Sequence, residues 1–240
     1  MSKLRGPAFL LSLLFVFAGS AFAGDVTIDL VNAGTWDGGQ GFAMGGAYVG
    51  PYNITVNGGS PVAVICDDAN DVVNPGNSWM ATTETIAGGL GNALWTGVTI
   101  GANVDGNASQ ETLTQLPEYE AIQYLAKLIM ANLSQPTTVG EIQWAIWDLT
   151  RPGLINQGNG NTPWGTLTPV EVSSIDNYIQ QGISNDGGSS SQIVIYTPDP
   201  QGSGQEYVVP GPVPEPASLT LLGAGLLVVA AGLRKKKLLG

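Results

Sequence analysis

The chain of 240 residues is 43% hydrophobic, has one Cys and no His, and carries a formal net charge of −11. Six of its eight Lys and Arg lie at the two ends, so Lys127 and Arg151 alone face eighteen acids between Gly24 and Val213, a field that repels nucleic acid and anionic lipid. Absence of His removes the commonest general base, the Ser-His-Asp arrangement and ordinary zinc sites, and a lone Cys66 cannot form an internal disulfide.

At the amino terminus Lys3 and Arg5 form a positive region, Pro7 to Ala18 an apolar region, and Ala21-Phe22-Ala23 a small-x-small cleavage site before Gly24. This is the pattern of a secretory signal peptide over residues 1–23, cut between Ala23 and Gly24 by the secretion machinery. Asp25 to Val31 follows as a first strand, with Val26, Ile28 and Leu30 alternating against Thr27 and Asp29. Further strands are expected at Tyr52 to Asn57, Pro61 to Cys66 and Trp79 to Ile86, broken by the turns Asn57-Gly58-Gly59 and Asn74-Pro75-Gly76-Asn77. Together they suggest a β-meander. Gly88 to Ala108 is too rich in Gly and Asn to assign.

The pattern then changes to helical period. Pro117 stands at a first-turn position, and Tyr119, Ile122, Ala126, Ile129 and Leu133 recur at steps of three and four. A second helix is expected to open with a capping box between Thr138 and Glu141 and to run to about Leu149, stopped by Arg151-Pro152-Gly153. Thr168-Pro169-Val170-Glu171 repeats the start signal for a third helix to about Gln181. Gln192 to Thr197 and Gln205 to Val209 read as closing strands. At the far end the uncharged run Leu219 to Leu233 is followed by Arg234, Lys235, Lys236 and Lys237, a membrane stop with a cytoplasmic flag. As a helix the run is about 22 Å long, short of the roughly 30 Å hydrocarbon core, which suits a provisional anchor.

The expected class is therefore α+β: a β-rich sandwich or barrel with a helical insertion of about three helices, plus an amino-terminal signal peptide and a carboxy-terminal membrane helix. Residues 24–209 form the mature extracytoplasmic domain, 210–212 a linker and 213–240 the terminal segment.

Within the second helix Gln143 falls inside the apolar arc of Val139, Ile142 and Ile146. An unpaired buried amide costs on the order of 1–3 kcal/mol, so Gln143 needs a specific partner. A backbone group at a strand end is one candidate. Asp67, Asp68, Asn70 and Asp71 invite a calcium reading, but the run lacks the turn Gly and terminal Glu of an EF-hand loop and reads as a solvated turn. No metal or cofactor is expected.

Two stretches resemble known families. Val64-Ile65-Cys66-Asp67-Asp68, followed by Glu141-Ile142-Gln143-Trp144-Ala145-Ile146-Trp147, resembles the thioester domains of bacterial surface adhesins. The resemblance implies that the Cys66 sulfur attacks the Gln143 carboxamide, that ammonia leaves, and that an amine on a surface partner opens the resulting thioester. Asp68, Trp144 and Trp147 are then candidate pocket walls, with core packing as the alternative for the tryptophans. Val213-Pro214-Glu215-Pro216-Ala217-Ser218, the apolar run and the basic tail resemble the PEP-CTERM sorting signal. That resemblance implies an exosortase acting near Pro214, Glu215 and Pro216, membrane attachment through the carboxy-terminal helix, and release or attachment at the surface alongside exopolysaccharide.

The expected function is a non-enzymatic, exported surface or matrix protein, a covalent adhesin if the thioester forms. The alternative is a structural or glycan-binding biofilm matrix protein in which Cys66 is a small buried hydrophobe and Gln143 a satisfied core amide. A hydrolase would need an all-carboxylate site, and no pair of acids has a spacing that identifies one.

Overall fold

The structure, a computed structural model, describes residues 25–33, 42–85, 90, 92–95, 115–156, 158–185 and 193–210. The signal peptide with its Ala23/Gly24 junction, the Pro214-Glu215-Pro216 segment and the apolar run after it lie outside the described residues. In chain order come β1 (Asp25–Ala33), β2 (Phe42–Met44), β3 (Ala47–Val49), β4 (Tyr52–Val56), β5 (Val62–Cys66) and β6 (Ser78–Thr85). Helices α1 (Gln115–Ala131), α2 (Pro136–Thr150) and α3 (Pro169–Ser184) follow, then β7 (Val194–Pro198) and β8 (Tyr207–Val209).

Six strands close into a barrel in the order β1-β4-β5-β8-β7-β6, all pairs antiparallel. Alternation along β1 sends Ile28 and Leu30 into the core, and their partners Ile54 on β4 and Trp79 on β6 are buried with them. A register shift between Leu30 and Asn32 leaves Val31 43% exposed as the strand bends.

The expected meander holds only from β1 through β4 to β5. The turn before β6 bonds back to β1, with Gly76 N donating to Leu30 O and Leu30 N to Asn77 O, so β6 is delivered beside β1 rather than β5. The free edge of β5 is taken by β8, and closure leaves the barrel no unpaired edge. The β2–β3 hairpin was not expected from sequence. Its turn, Gly45-Gly46, has φ of +58° and +86°, the doubly left-handed backbone that two-residue hairpins favour and glycine adopts freely.

α1 buries Tyr119, Ile122, Ala126 and Ile129 as their spacing predicts, but Leu133 lies past its end and is 37% exposed. α2 starts earlier than expected, at Pro136, and no capping box forms there: Gln135 is the cap residue and its side chain makes no capping bond to the helix. Proline supplies the helical φ and has no N–H to satisfy, while Glu141 turns instead to Ser174 on α3. α3 has the predicted box, with Thr168 N donating to Glu171 Oε2 at 2.6 Å and Glu171 N to Thr168 Oγ1 at 3.3 Å.

α2 packs against α1, α3 and the β2–β3 hairpin, and is buried almost all round from Val139 to Thr150. Gly140 permits the hairpin's approach, since a Cβ there would lie 2.7 Å from Met44 Sδ. Among the described residues no helix is long and apolar enough to cross a membrane.

Candidate functional site

Cys66 ends β5 opposite Tyr207 on β8, so both side chains take the same face of the sheet. That face is aromatic: the Tyr207 ring lies 5.6 Å from Tyr52 and 5.9 Å from Trp79. Cys66 and Gln143 are each fully buried, and α2 brings them together, with Gln143 Nε2 donating to the Cys66 carbonyl oxygen at 2.7 Å. This is the strand-end backbone bond that a buried amide requires. It also seats a primary carboxamide on the residue that carries the chain's one thiol. Gln143 Oε1, equally buried, has no hydrogen-bond partner.

Burial, and then the neighbouring Asp68 and Asp67 carboxylates, push the Cys66 thiol well above its ordinary range. Thiolate is therefore scarce, and the thiol proton points to Asp68 O at 3.2 Å.

The two acids after Cys66 are not the solvated turn that their charge suggests, for both are buried, Asp67 fully and Asp68 to 99%. Each has a local reason. Asp67 is clamped by Thr150 of α2, whose Oγ1 donates to its carbonyl at 2.9 Å, and its carboxyl meets Glu206, the residue before β8. Neither Asp67 carboxyl oxygen has a well-aligned hydrogen-bond partner, so the carboxyl relies on a proton shared with Glu206 and a weak contribution from its own backbone N–H. Glu206 accepts from Tyr119 Oη at 2.6 Å, Leu94 N at 3.0 Å and Thr197 Oγ1, so it is the better place for the charge. Burial still raises it to about 7, and burial with the Glu206 charge raises Asp67 well above the usual carboxylate range.

Asp68 Oδ1 accepts from Asn70 N at 2.8 Å, but Oδ2 has no partner. Burial, with Asp71 nearby, lifts this carboxyl to about 6. Gln205 Nε2 straps the segment down by donating to Asp68 O at 3.3 Å and to Asp71 O.

Asp68 and Trp147 line one cavity of about 490 Å³, together with Tyr48, Tyr52, Val72 and Trp164. Trp144 is not among the lining residues. It packs edge-on to Trp147 at 5.2 Å and its Nε1 donates to Met44 O at 3.0 Å, which ties the hairpin to α2. Sequence reasoning missed Tyr48, Tyr52, Trp164 and Gln205. Nothing in their local pattern marks them, because each reaches the cavity from a different loop or strand.

Residues 212–236 match the PEP-CTERM protein-sorting motif. That motif implies export, processing by an exosortase, and transient membrane anchoring through the carboxy-terminal region. No curated protein matches the chain. Among solved structures, the chain is similar to the N-terminal thioester domain of fibronectin-binding protein SfbI from Streptococcus pyogenes, at 11% identity and a TM-score of 0.46, covering 79% of this chain and 94% of that one. It is also similar to the N-terminal domain of the Streptococcus pyogenes pilus tip adhesin Cpa, at 13% identity and a TM-score of 0.42, covering 82% and 97%.

Proposed function

We propose that the protein is an exported, exosortase-sorted surface protein whose barrel domain carries a Cys66–Gln143 thioester for covalent attachment to an amine. The observation that carries this is the bond between Gln143 Nε2 and Cys66 O, made by two fully buried residues. In the reaction the Cys66 sulfur bonds to the Gln143 side-chain carbonyl carbon, the C–N bond breaks, and the thiol proton leaves with the amide nitrogen as ammonia. A partner's primary amine then attacks the same carbon, forms an amide, and returns the thiol to Cys66.

Two features support this chemistry. The bond to the Cys66 backbone holds the carboxamide on the residue that carries the sulfur, so that closing the two reacting atoms together draws on proximity that can contribute roughly 7–11 kcal/mol, and burial keeps water from the product. The primary amide is also held at a cost, since its buried Oε1 lacks a donor, and a thioester carbonyl is a poorer acceptor with less to lose.

Methylamine tests the tether. Incubation of the full chain should place an N-methyl amide on Gln143 and leave Cys66 a free thiol, with no label in Cys66→Ala. Label that persists in Cys66→Ala, or none in the unsubstituted protein, rejects the covalent reading.

A non-covalent matrix role is the second reading. It is favoured by the same Cys66 contact, which already satisfies half of the Gln143 amide, and by the exposed Tyr48 and Trp164 rings. Polysaccharide co-sedimentation that survives both Cys66→Ala and Gln143→Ala distinguishes it.

A further inference from the structure

A thioester that forms and opens at Cys66 puts negative charge on the sulfur in passing, and the surroundings of that sulfur oppose it. Burial and the Asp68 and Asp67 carboxylates all favour the neutral thiol. Among the described residues, the side-chain donors nearest the sulfur are mostly committed elsewhere. The Tyr52 phenol donates to Tyr48 O at 2.9 Å, the Tyr207 phenol to Gln205 Oε1 at 3.2 Å, and Gln143 Nε2 to Cys66 O at 2.7 Å. Trp147 is left. Its Nε1 is buried without a well-aligned hydrogen-bond partner and faces the sulfur, whose charged form it favours together with the Asp68 backbone.

The indole is held where it points. Trp147 follows Gln143 by one helical turn, so indole and carboxamide share a face of α2. The ring packs edge-on against Trp144 at 5.2 Å and Trp164 at 5.9 Å, while Trp147 O accepts from Arg151 N at 2.9 Å and Thr150 Oγ1 at 3.1 Å.

We propose that the Trp147 indole N–H is the donor that stabilises negative charge on the Cys66 sulfur as the thioester forms and as it opens. The chemistry rests on the thioester reading, whereas the placement of the donor does not. A neutral thiol and an acylated sulfur are weak acceptors, so a buried N–H facing either is left nearly unpaired at a standing cost. An anionic sulfur is a strong acceptor. The bond therefore tightens chiefly in the transition state, where it lowers the barrier instead of deepening a resting state. In opening, the amine nitrogen bonds to the Gln143 side-chain carbonyl carbon, the C–S bond breaks with its electron pair on sulfur, and the proton shed by nitrogen ends on the thiol. In formation the sulfur pair bonds to that carbon, and the thiol proton leaves with the nitrogen as ammonia.

The full chain with Gln143→Ala keeps the thiol and cannot acylate, so it isolates the contact. In its proton-nitrogen correlation spectrum the Trp147 indole resonance, assigned through its contacts with Trp144, should move upfield when Cys66→Ala is added. An unmoved resonance overturns the proposal. In the chain with Gln143 intact, Trp147→Phe should slow methylamine opening of the thioester by about tenfold or more, because a hydrogen bond to a charged group is lost. A ring that only excludes solvent gives the opposite sign, since its loss admits methylamine and water alike. Equal or faster opening in a protein with unchanged far-ultraviolet circular dichroism therefore also overturns it. Where Trp147→Phe fails to fold or to acylate, the unsubstituted chain decides: methylamine opening turns an acylated sulfur into a free thiol and should move the indole resonance downfield, and no movement rejects the donor. Failure of methylamine to label the unsubstituted chain rejects the tether and this role together, whereas labelling with an unmoved resonance rejects Trp147 alone.

Discussion

Cys66 is chemically quiet where it stands. Burial and two acidic neighbours keep its proton on, so an uncombined thiol here is a poor nucleophile toward any reagent that must reach it from solvent. In Gln143→Ala, which cannot acylate the sulfur, iodoacetamide should modify the native protein at least about tenfold more slowly than the unfolded protein, as counted by intact mass. Comparable rates would place the sulfur at the surface. Slow native alkylation is thus expected with or without a thioester. Gln143 was legible in the sequence because an amide among Val139, Ile142 and Ile146 breaks an apolar arc, and Cys66 because it stands alone. Asp67 was not, since its burial depends on Glu206 and Thr150, and no local pattern reports a contact between residues so far apart.

At the level of elements, two bonds should show measurable effects. Thr168→Ala removes the acceptor for the Glu171 amide and should cost about 1 kcal/mol in urea denaturation. Trp144→Phe removes the donor to Met44 O together with the pyrrole half of a fully buried indole, and should cost about 2 kcal/mol or more while loosening the hairpin that carries Tyr48 to the cavity. No change in either variant would mean that these ends are held by packing alone. Elements with long periodic faces were readable: β1, α1 and α3 are where alternation, three-to-four spacing and the Thr168 box place them. The three-residue strands β2 and β3 show no usable alternation, and their glycine turn is one of many in a chain with 34 Gly. The start of α2 was misplaced because Thr138 and Glu141 satisfy the box pattern, whereas Pro136 two positions earlier already opens the helix.

For the whole molecule, acidity is built into the interior rather than only spread over the surface. Asp68 and Asp148 are raised to about 6 and Glu206 to about 7, with burial the largest cause in each, and Asp67 is raised as well. Such groups hold more protons folded than unfolded between the ordinary carboxylate range and their raised values. Their contribution is fully present below about pH 4 and is lost as pH rises through 6 to 7, so stability falls along that path. The melting temperature should therefore be several degrees higher near pH 5 than near pH 8, and a melting temperature that does not fall over this range would mean that these carboxyls titrate in their ordinary range. Barrel closure was open in the sequence as sandwich or barrel, because the pairing of β6 with β1 and of β8 with β5 is fixed by turns and long-range contacts that period alone does not encode.

Covalent attachment depends on a bond between one sulfur and one side-chain carbon, and intact mass of the purified full chain reads it directly. A deficit of about 17 Da, one ammonia, is expected against the mass encoded for the processed chain, absent in Cys66→Ala and in Gln143→Ala. An undiminished mass, with the thiol fully alkylated after unfolding, would contradict it.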